Sequence, residues 1–307
     1  MVFTLFEPIL LDTEQTIHPI TPTANFFTIT RYKGHPIDVD KWHLSVDGSV
    51  SNPLRLSYET LTTSYPRVSE VITMECVINP VGGRLVGTAV WSGVPLRELL
   101  DEVDVHDKAI ELFCTSGDGL NRGLPLKYFD HPLTLLAYEM NGQRLLPNYG
   151  FPLRLVVPGY YGFMWRKWLL KLTLTDEPYK DPKWLASMKA LKSKKVLLST
   201  KILAPQDQEK IQTPTHTIIG VSWGSGTPIH RVEVSLDEGQ SWTDTEILWR
   251  TSHPYAWVIW KLIWEPRKHS TYTVTARAID TTGRMQLNGV DSYPSGFGSW
   301  HQVQIHT

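Results

Sequence analysis

The first half of the chain alternates short apolar runs with turn chemistry and is interrupted by two helical patterns. Residues 42–46, Trp-His-Leu-Ser-Val, read as a strand that turns at Asp47-Gly48. Ser57 is placed to cap a short helix running through Leu61. Val71-Ile72-Thr73-Met74 is a β-run that ends in Glu75-Cys76 and then breaks into Asn79-Pro80 and Gly82-Gly83. Pro95 opens a helix whose Leu96, Leu99, Leu100 and Val103 share one face. Residues 109–114 alternate as a strand leading into Ser116-Gly117-Asp118-Gly119, a turn whose backbone N–H groups are expected to be free for an anion. Residues 133–138 form another strand, closed by the hairpin signal Asn141-Gly142.

Residues 176–214 carry Pro178, Pro182, Pro205 and Pro214, with seven lysines from Lys180 to Lys201, and read as a solvated connector. Beyond it the pattern becomes all-β, with strands expected at 218–223, 229–236, 255–264, 272–279 and 302–305. In the second of these Val232, Val234 and Leu236 face one way, and Asp237-Glu238-Gly239 turns the chain. Short strands at this spacing predict an immunoglobulin-like sandwich. The fold class is therefore α+β. Residues 1–24 wrap the surface, 25–180 form a mixed α/β domain, 181–212 connect, and 213–307 form the sandwich.

Composition changes this picture little. A length of 307 residues suits two domains, and 41% hydrophobic with 20% charged residues is ordinary for a globular chain. Thirty Lys and Arg against 31 Asp and Glu point away from nucleic acid as a partner. The longest apolar stretch, 256–264, contains Lys261 and falls short of the roughly 18 residues a membrane helix requires. The N-terminus shows no basic region followed by an apolar core. The expected location is cytoplasmic for the chain as it stands, or extracytoplasmic if a leader has been removed.

Only Cys76 and Cys114 occur, which is no disulfide framework, and Cys114 reads as core. A cysteine where a strand meets a tight loop is either a small buried hydrophobe or a thiolate at a rim. Softness suits a thiolate to a transition metal without naming the metal. Use as a nucleophile requires a base, and no histidine lies near Cys76 in sequence.

The stretch Thr73-Met-Glu-Cys76-Val-Ile-Asn79-Pro-Val-Gly-Gly83, followed by Trp91-Ser-Gly93-Val-Pro95, resembles the metal-binding segment of the sulfite oxidase family of molybdopterin-dependent oxidoreductases. Gly150-Phe-Pro-Leu-Arg154, Tyr161-Gly162 and Lys167-Trp-Leu169 continue the resemblance, and Val232 through Trp242 and Ala276 through Asp280 resemble the family's dimerisation domain. The resemblance covers about residues 20 to 305. It implies molybdenum held by one molybdopterin, with Cys76 as metal ligand. It also implies cofactor contacts from Asn25, Phe26, Phe27, Asn79, Ser116, Asp118, Arg154 and Lys167, with Arg166 an adjacent extra cation. A homodimer follows from it as well. With no haem-attachment Cys-x-x-Cys-His present, it implies a separate electron-transfer partner.

The chain departs from sulfite oxidases at the substrate. Pro80 and Val81 stand where those enzymes have arginines after the Asn79 position, and Ile29 and Thr30 stand at a second anion site with Arg31 nearby. The active-site tyrosine position holds Met188 or Lys189, and Met164 replaces a residue that is often basic. Ile78 also departs from the glutamate of the family's methionine-sulfoxide reductases. Charge-assisted bonds to an anion are worth roughly 1.5–3 kcal/mol each, so losing two weakens sulfite recognition on the order of a hundredfold. The expected substrate is a small S-oxide or N-oxide, with Arg84 as the catalytic cation beside Cys76. The alternatives are a sulfite dehydrogenase with a rearranged anion site and a non-catalytic two-domain interaction protein.

Overall fold

The computed structural model describes residues 9–10, 16–30, 37–178, 194–211, 215–268, 270–289 and 299–307. Arg31, Met188 and Lys189 lie outside the described residues. The first domain contains β1 (Ile9–Leu10), β2 (Thr16–Ile17), β3 (His43–Gly48), β4 (Leu54–Ser57), β5 (Val68–Glu75) and β6 (Val86–Pro95). It continues with β7 (Glu111–Ser116), β8 (Arg122–Pro125), β9 (Leu135–Met140), β10 (Gln143–Arg144), β11 (Arg154–Val156) and β12 (Leu169–Thr175). Two helices, α1 (Tyr58–Thr63) and α2 (Leu96–Val103), lie between strands. β1 and β2 form a two-stranded sheet; of the two five-stranded sheets, one runs β10-β9-β6-β5, with β11 also on β9, and the other runs β4-β3-β12-β7-β8. Both pack around one core, in which Leu44, Ile72, Trp91, Leu112, Leu136, Leu155 and Leu172 are buried.

Local chemistry accounts for the boundaries. The Ser57 hydroxyl accepts from the Thr60 N–H at 3.0 Å and starts α1. Leu96, Leu99 and Val103 of α2 are fully buried, as the helical spacing predicts. Asn141 and Gly142 both take positive φ (52° and 74°), which gives the two-residue turn joining β9 to β10. The strand expected at 42–46 starts one residue late because the Trp42 N–H closes a turn onto the Val39 carbonyl at 3.2 Å, while its indole donates to the Leu169 carbonyl at 2.9 Å.

The second domain comprises β13 (Ser199–Ala204), β14 (Glu209–Lys210), β15 (His216–Trp223), β16 (Ile229–Ser235), β17 (Thr243–Asp244), β18 (Glu246–Trp249), β19 (Val258–Trp264), β20 (Thr271–Asp280) and β21 (His301–His306). One sheet runs β13-β15-β19-β18, the other β14-β21-β20-β16-β17. Their apolar faces share one core, with Ile202, Ile218 and Trp260 from the first sheet meeting Val232, Val274 and Val303 from the second. The stretch expected as a connector carries β13, hydrogen-bonded along β15 from Ser199 opposite Trp223 to Ala204 opposite Ile219. The last lysine of the seven, Lys201, is not a solvated-face residue: it lies half-buried in β13 and donates to the Gly83 carbonyl at 2.8 Å.

A third apolar cluster joins the domains. Val77 and Tyr161 of the first meet Ala204, Ile219, Val221, Trp223 and Trp257 of the second. The contact runs along β5, which is the edge strand of its sheet.

Candidate active site

Cys76 follows directly on the last residue of β5 and opens a closed loop. Its N–H donates to the Leu85 carbonyl at 2.9 Å, and its carbonyl accepts from the Asn79 N–H at 2.9 Å. Inside the loop the Asn79 side chain accepts from the Leu85 N–H at 2.9 Å and donates to Glu75 at 3.0 Å. Asn79 therefore spans the loop, which is why this buried polar residue stands between Cys76 and the glycines. Glu75 is buried and also accepts from the Trp223 indole at 2.9 Å. Burial pushes its carboxyl up to about 7, against the lowering effect of the Trp223 and Asn79 bonds.

The Cys76 side chain lines a cavity of about 330 Å³. Burial raises its thiol above the ordinary range, and the Glu75 charge adds to this; the Ile78 and Val77 amides pull it back. A thiol in this setting becomes a thiolate only when a cation or metal joins it. Among the described residues no group of three or more His, Cys, Asp and Glu side chains gathers as a metal cluster.

The same cavity is lined by Arg122, Arg154, Arg166 and Lys167, with Asp118 the only carboxylate in its wall among the described residues. Arg154 opens β11 and is buried, its guanidinium 4.6 Å from the Trp91 ring centroid and 5.5 Å from that of Trp165. It donates to the Tyr149 carbonyl at 3.0 Å and to the Met74 sulfur at 3.4 Å, while its Nε is buried without a partner among the described residues. Burial brings this arginine down to about 9. Lys167 reaches back to the 28–30 segment, donating to Thr30 Oγ1 at 2.7 Å and the Ile29 carbonyl at 3.2 Å. Desolvation, then repulsion from Arg154, brings it down to about 8. A buried arginine and a half-buried lysine held by neutral acceptors, the arginine with an orphaned N–H, fit an anionic group such as the phosphate of a pterin cofactor.

Of the sequence-predicted residues, Phe27, Cys76, Ser116, Asp118, Arg154, Arg166 and Lys167 meet in this cavity. Phe26 does not; it is core, stacked on Phe27 and edge-on to Trp91 and Tyr149. Asn25 is exposed in the short helical turn Thr23–Asn25, and Asn79 braces the loop from behind. Arg84 is exposed and outside the cavity wall, as is the half-buried Val81, whereas Ile29 and Ile78 stand exposed at the cavity's rim.

The turn at Ser116–Gly119 differs from expectation. Three of its four N–H groups are already engaged: Ser116 with the Asn121 side chain, Gly117 with the Trp168 carbonyl and Gly119 with the Ser116 carbonyl. Trp168, held at φ 53°, folds back onto this turn and takes the donor an anion would have used. Sequence reasoning missed Arg122, Met74, Phe163 and Trp165. Arg122 sits in a four-residue strand, too short for alternation to reveal which face is inside.

Known families match both domains of the chain. Residues 32–184 match the oxidoreductase molybdopterin binding domain, and residues 192–307 the Mo-co oxidoreductase dimerisation domain. The chain belongs to the sulfite oxidase family of molybdopterin-dependent oxidoreductases. It is 27% identical to the mitochondrial sulfite oxidase of Rattus norvegicus over 93% of this chain and 61% of that protein. With the human enzyme the identity is 28% over 94% and 62%. It is also 27% identical to the NADPH nitrate reductase of Aspergillus niger over 87% of this chain and 39% of that protein. The chain thus spans about three fifths or less of these relatives. The sulfane dehydrogenase SoxCD of Paracoccus pantotrophus shares the fold, with a TM-score of 0.82 at 23% identity over 98% of this chain and 88% of that one.

Proposed function

We propose that this protein is a molybdenum–molybdopterin oxidoreductase that transfers an oxygen atom, with Cys76 as the only protein ligand to the metal. The observation that carries this reading is the convergence of the Cys76 sulfur with Arg122, Arg154, Arg166 and Lys167 around one cavity. When bound, the cofactor supplies the two-electron chemistry. The chain's residues do the rest. Arg154 and Lys167 hold the cofactor's phosphate through charge-assisted bonds, and Phe27, Phe163 and Trp165 exclude water around it. Family membership favours a homodimer through the second domain, which we read as an immunoglobulin-like sandwich, and electrons exchanged with a separate partner.

For the substrate, the exposed Ile29 and Ile78 at the rim favour a small neutral S-oxide or N-oxide. Val81 lies outside the cavity wall, so the rim isoleucines carry that preference. One observation favours a second reading, sulfite oxidation at a rearranged anion site: Arg122 supplies a cation that the sequence motif lacks. Elemental analysis and pterin fluorescence on protein from a molybdenum-replete host test the cofactor, and a clean preparation without pterin would overturn the enzyme reading. Steady-state assays with sulfite and an artificial acceptor, beside sulfoxides and a reduced dye, separate the two substrates.

A further inference from the structure

Strand β5 leads directly into Cys76 and, among the described residues, has no strand partner on its outer edge. The second domain occupies that edge. The Thr73 N–H donates to the Tyr255 carbonyl at 2.9 Å, and the Trp257 N–H donates to the Thr73 hydroxyl at 2.8 Å. Two residues on, the Trp223 indole holds Glu75, which holds Asn79, which closes the loop at Leu85. Val77, next to Cys76, is 3% exposed because Trp223, Trp257 and Val221 cover it. At the far side of the loop Lys201 donates to the Gly83 carbonyl, and a Cβ on Gly82 would overlap the His301 imidazole. His301 is fixed in turn by accepting from the Ile202 N–H at 2.9 Å.

We propose that the second domain is a working part of the metal site, with Trp223, Lys201 and His301 acting as positioning residues that hold the Cys76 loop in its closed form. Strand β5 and the loop contribute backbone and the thiol. The second domain contributes the rigid surface against which they are set, through β13, β15, β21 and the 255–257 segment. Side chains on rigid strands fix a ligand loop more closely than the loop fixes itself. Domain-core stability and loop geometry are then separable properties.

The functional meaning rests on the ligand role proposed for Cys76, but the test reads the thiol itself and needs no metal. Cofactor-free full-length protein is treated with iodoacetamide under native conditions, and modification at each cysteine is followed by mass spectrometry. Trp223→Phe keeps the apolar cover of Val77 and removes the donor to Glu75. Lys201→Met keeps the apolar stem and removes the donor to Gly83. Each is expected to speed alkylation of Cys76 about fivefold by raising the population of the opened loop. Loss of the Lys201 cation alone lowers thiolate content, so acceleration in that variant reports geometry rather than charge. Val232→Ala, in the core between the second domain's sheets, is expected to lower the melting temperature while leaving the Cys76 rate unchanged. Cys114, fully buried, stays unmodified throughout. Rates within twofold of wild type in the Lys201 variant, or an equal acceleration in the Val232 variant, would overturn the proposal. If the Trp223 variant does not fold, the Lys201 and Val232 pair decides alone.

Discussion

Single side chains decide whether this cavity can hold a charged cofactor. Lys167→Met removes a cation held by four neutral oxygens and should weaken pterin retention about ten- to a hundredfold, measured as cofactor content after gel filtration. Cys76→Ala should abolish metal content and activity while leaving the circular dichroism spectrum unchanged. Cys114→Ala should leave activity intact and cost about 1 kcal/mol in urea denaturation, since burial has pushed that thiol up to about 12 and it serves only as packing. Cys76, Arg154 and Lys167 were legible in the sequence because each sits in a run of several motif residues. Arg122 was not, because burial of one arginine in a short strand leaves no periodic trace. Arg84 follows two glycines, and a position beside Cys76 in sequence does not set the direction in which its side chain leaves the loop.

At the level of elements, runs of β-branched and aromatic residues bounded by turn chemistry located the strands, several of which are buried on both faces. The strands found at His216–Trp223, Ile229–Ser235 and Thr271–Asp280 overlap those expected to within a few residues. β13 escaped because proline and lysine dominate its neighbourhood, and its lysine finds a carbonyl rather than water. Glu233 shows the converse, a buried carboxylate in β16 satisfied by Arg231 at 2.9 Å and Arg277 at 2.7 Å. The Asn141-Gly142 turn does more than reverse the chain. The Asn141 side chain donates to the Thr21 carbonyl and the Thr23 hydroxyl and accepts from the Val90 N–H, tying the segment that leads to Phe27 onto β6. Asn141→Ala should cost about 2 kcal/mol by urea denaturation and increase hydrogen exchange at residues 21–27.

For the molecule as a whole, the boundary between domains should respond to acid. His301 is held down to about 4 by burial and then by Lys201, below the ordinary histidine value of 6.5. The unfolded chain therefore takes up this proton more readily, so the stability is complete above pH 6.5 and is lost as pH falls toward 4. The difference approaches roughly 3 kcal/mol at the acid end of that window. Denaturation midpoints compared at pH 7 and pH 5 should converge in His301→Gln relative to wild type. The second domain should also pair two copies of the chain, which light scattering at micromolar concentration would show as a doubled mass.

The covered edge of β5 also sets an order of events during synthesis. A ribosome completes the first domain's last described strand at Thr175, whereas Trp223 and Trp257 are added roughly 50 and 80 residues later, about 2 to 16 s at ordinary elongation rates. Through that interval the strand bearing the thiol presents an unpaired edge, the kind of surface on which nascent chains associate. On the ligand role proposed for Cys76, loading of the cofactor onto a settled thiol would follow translation of the second domain. A chain arrested near residue 180 should leave Cys76 open to alkylating reagents and one arrested past residue 307 should not.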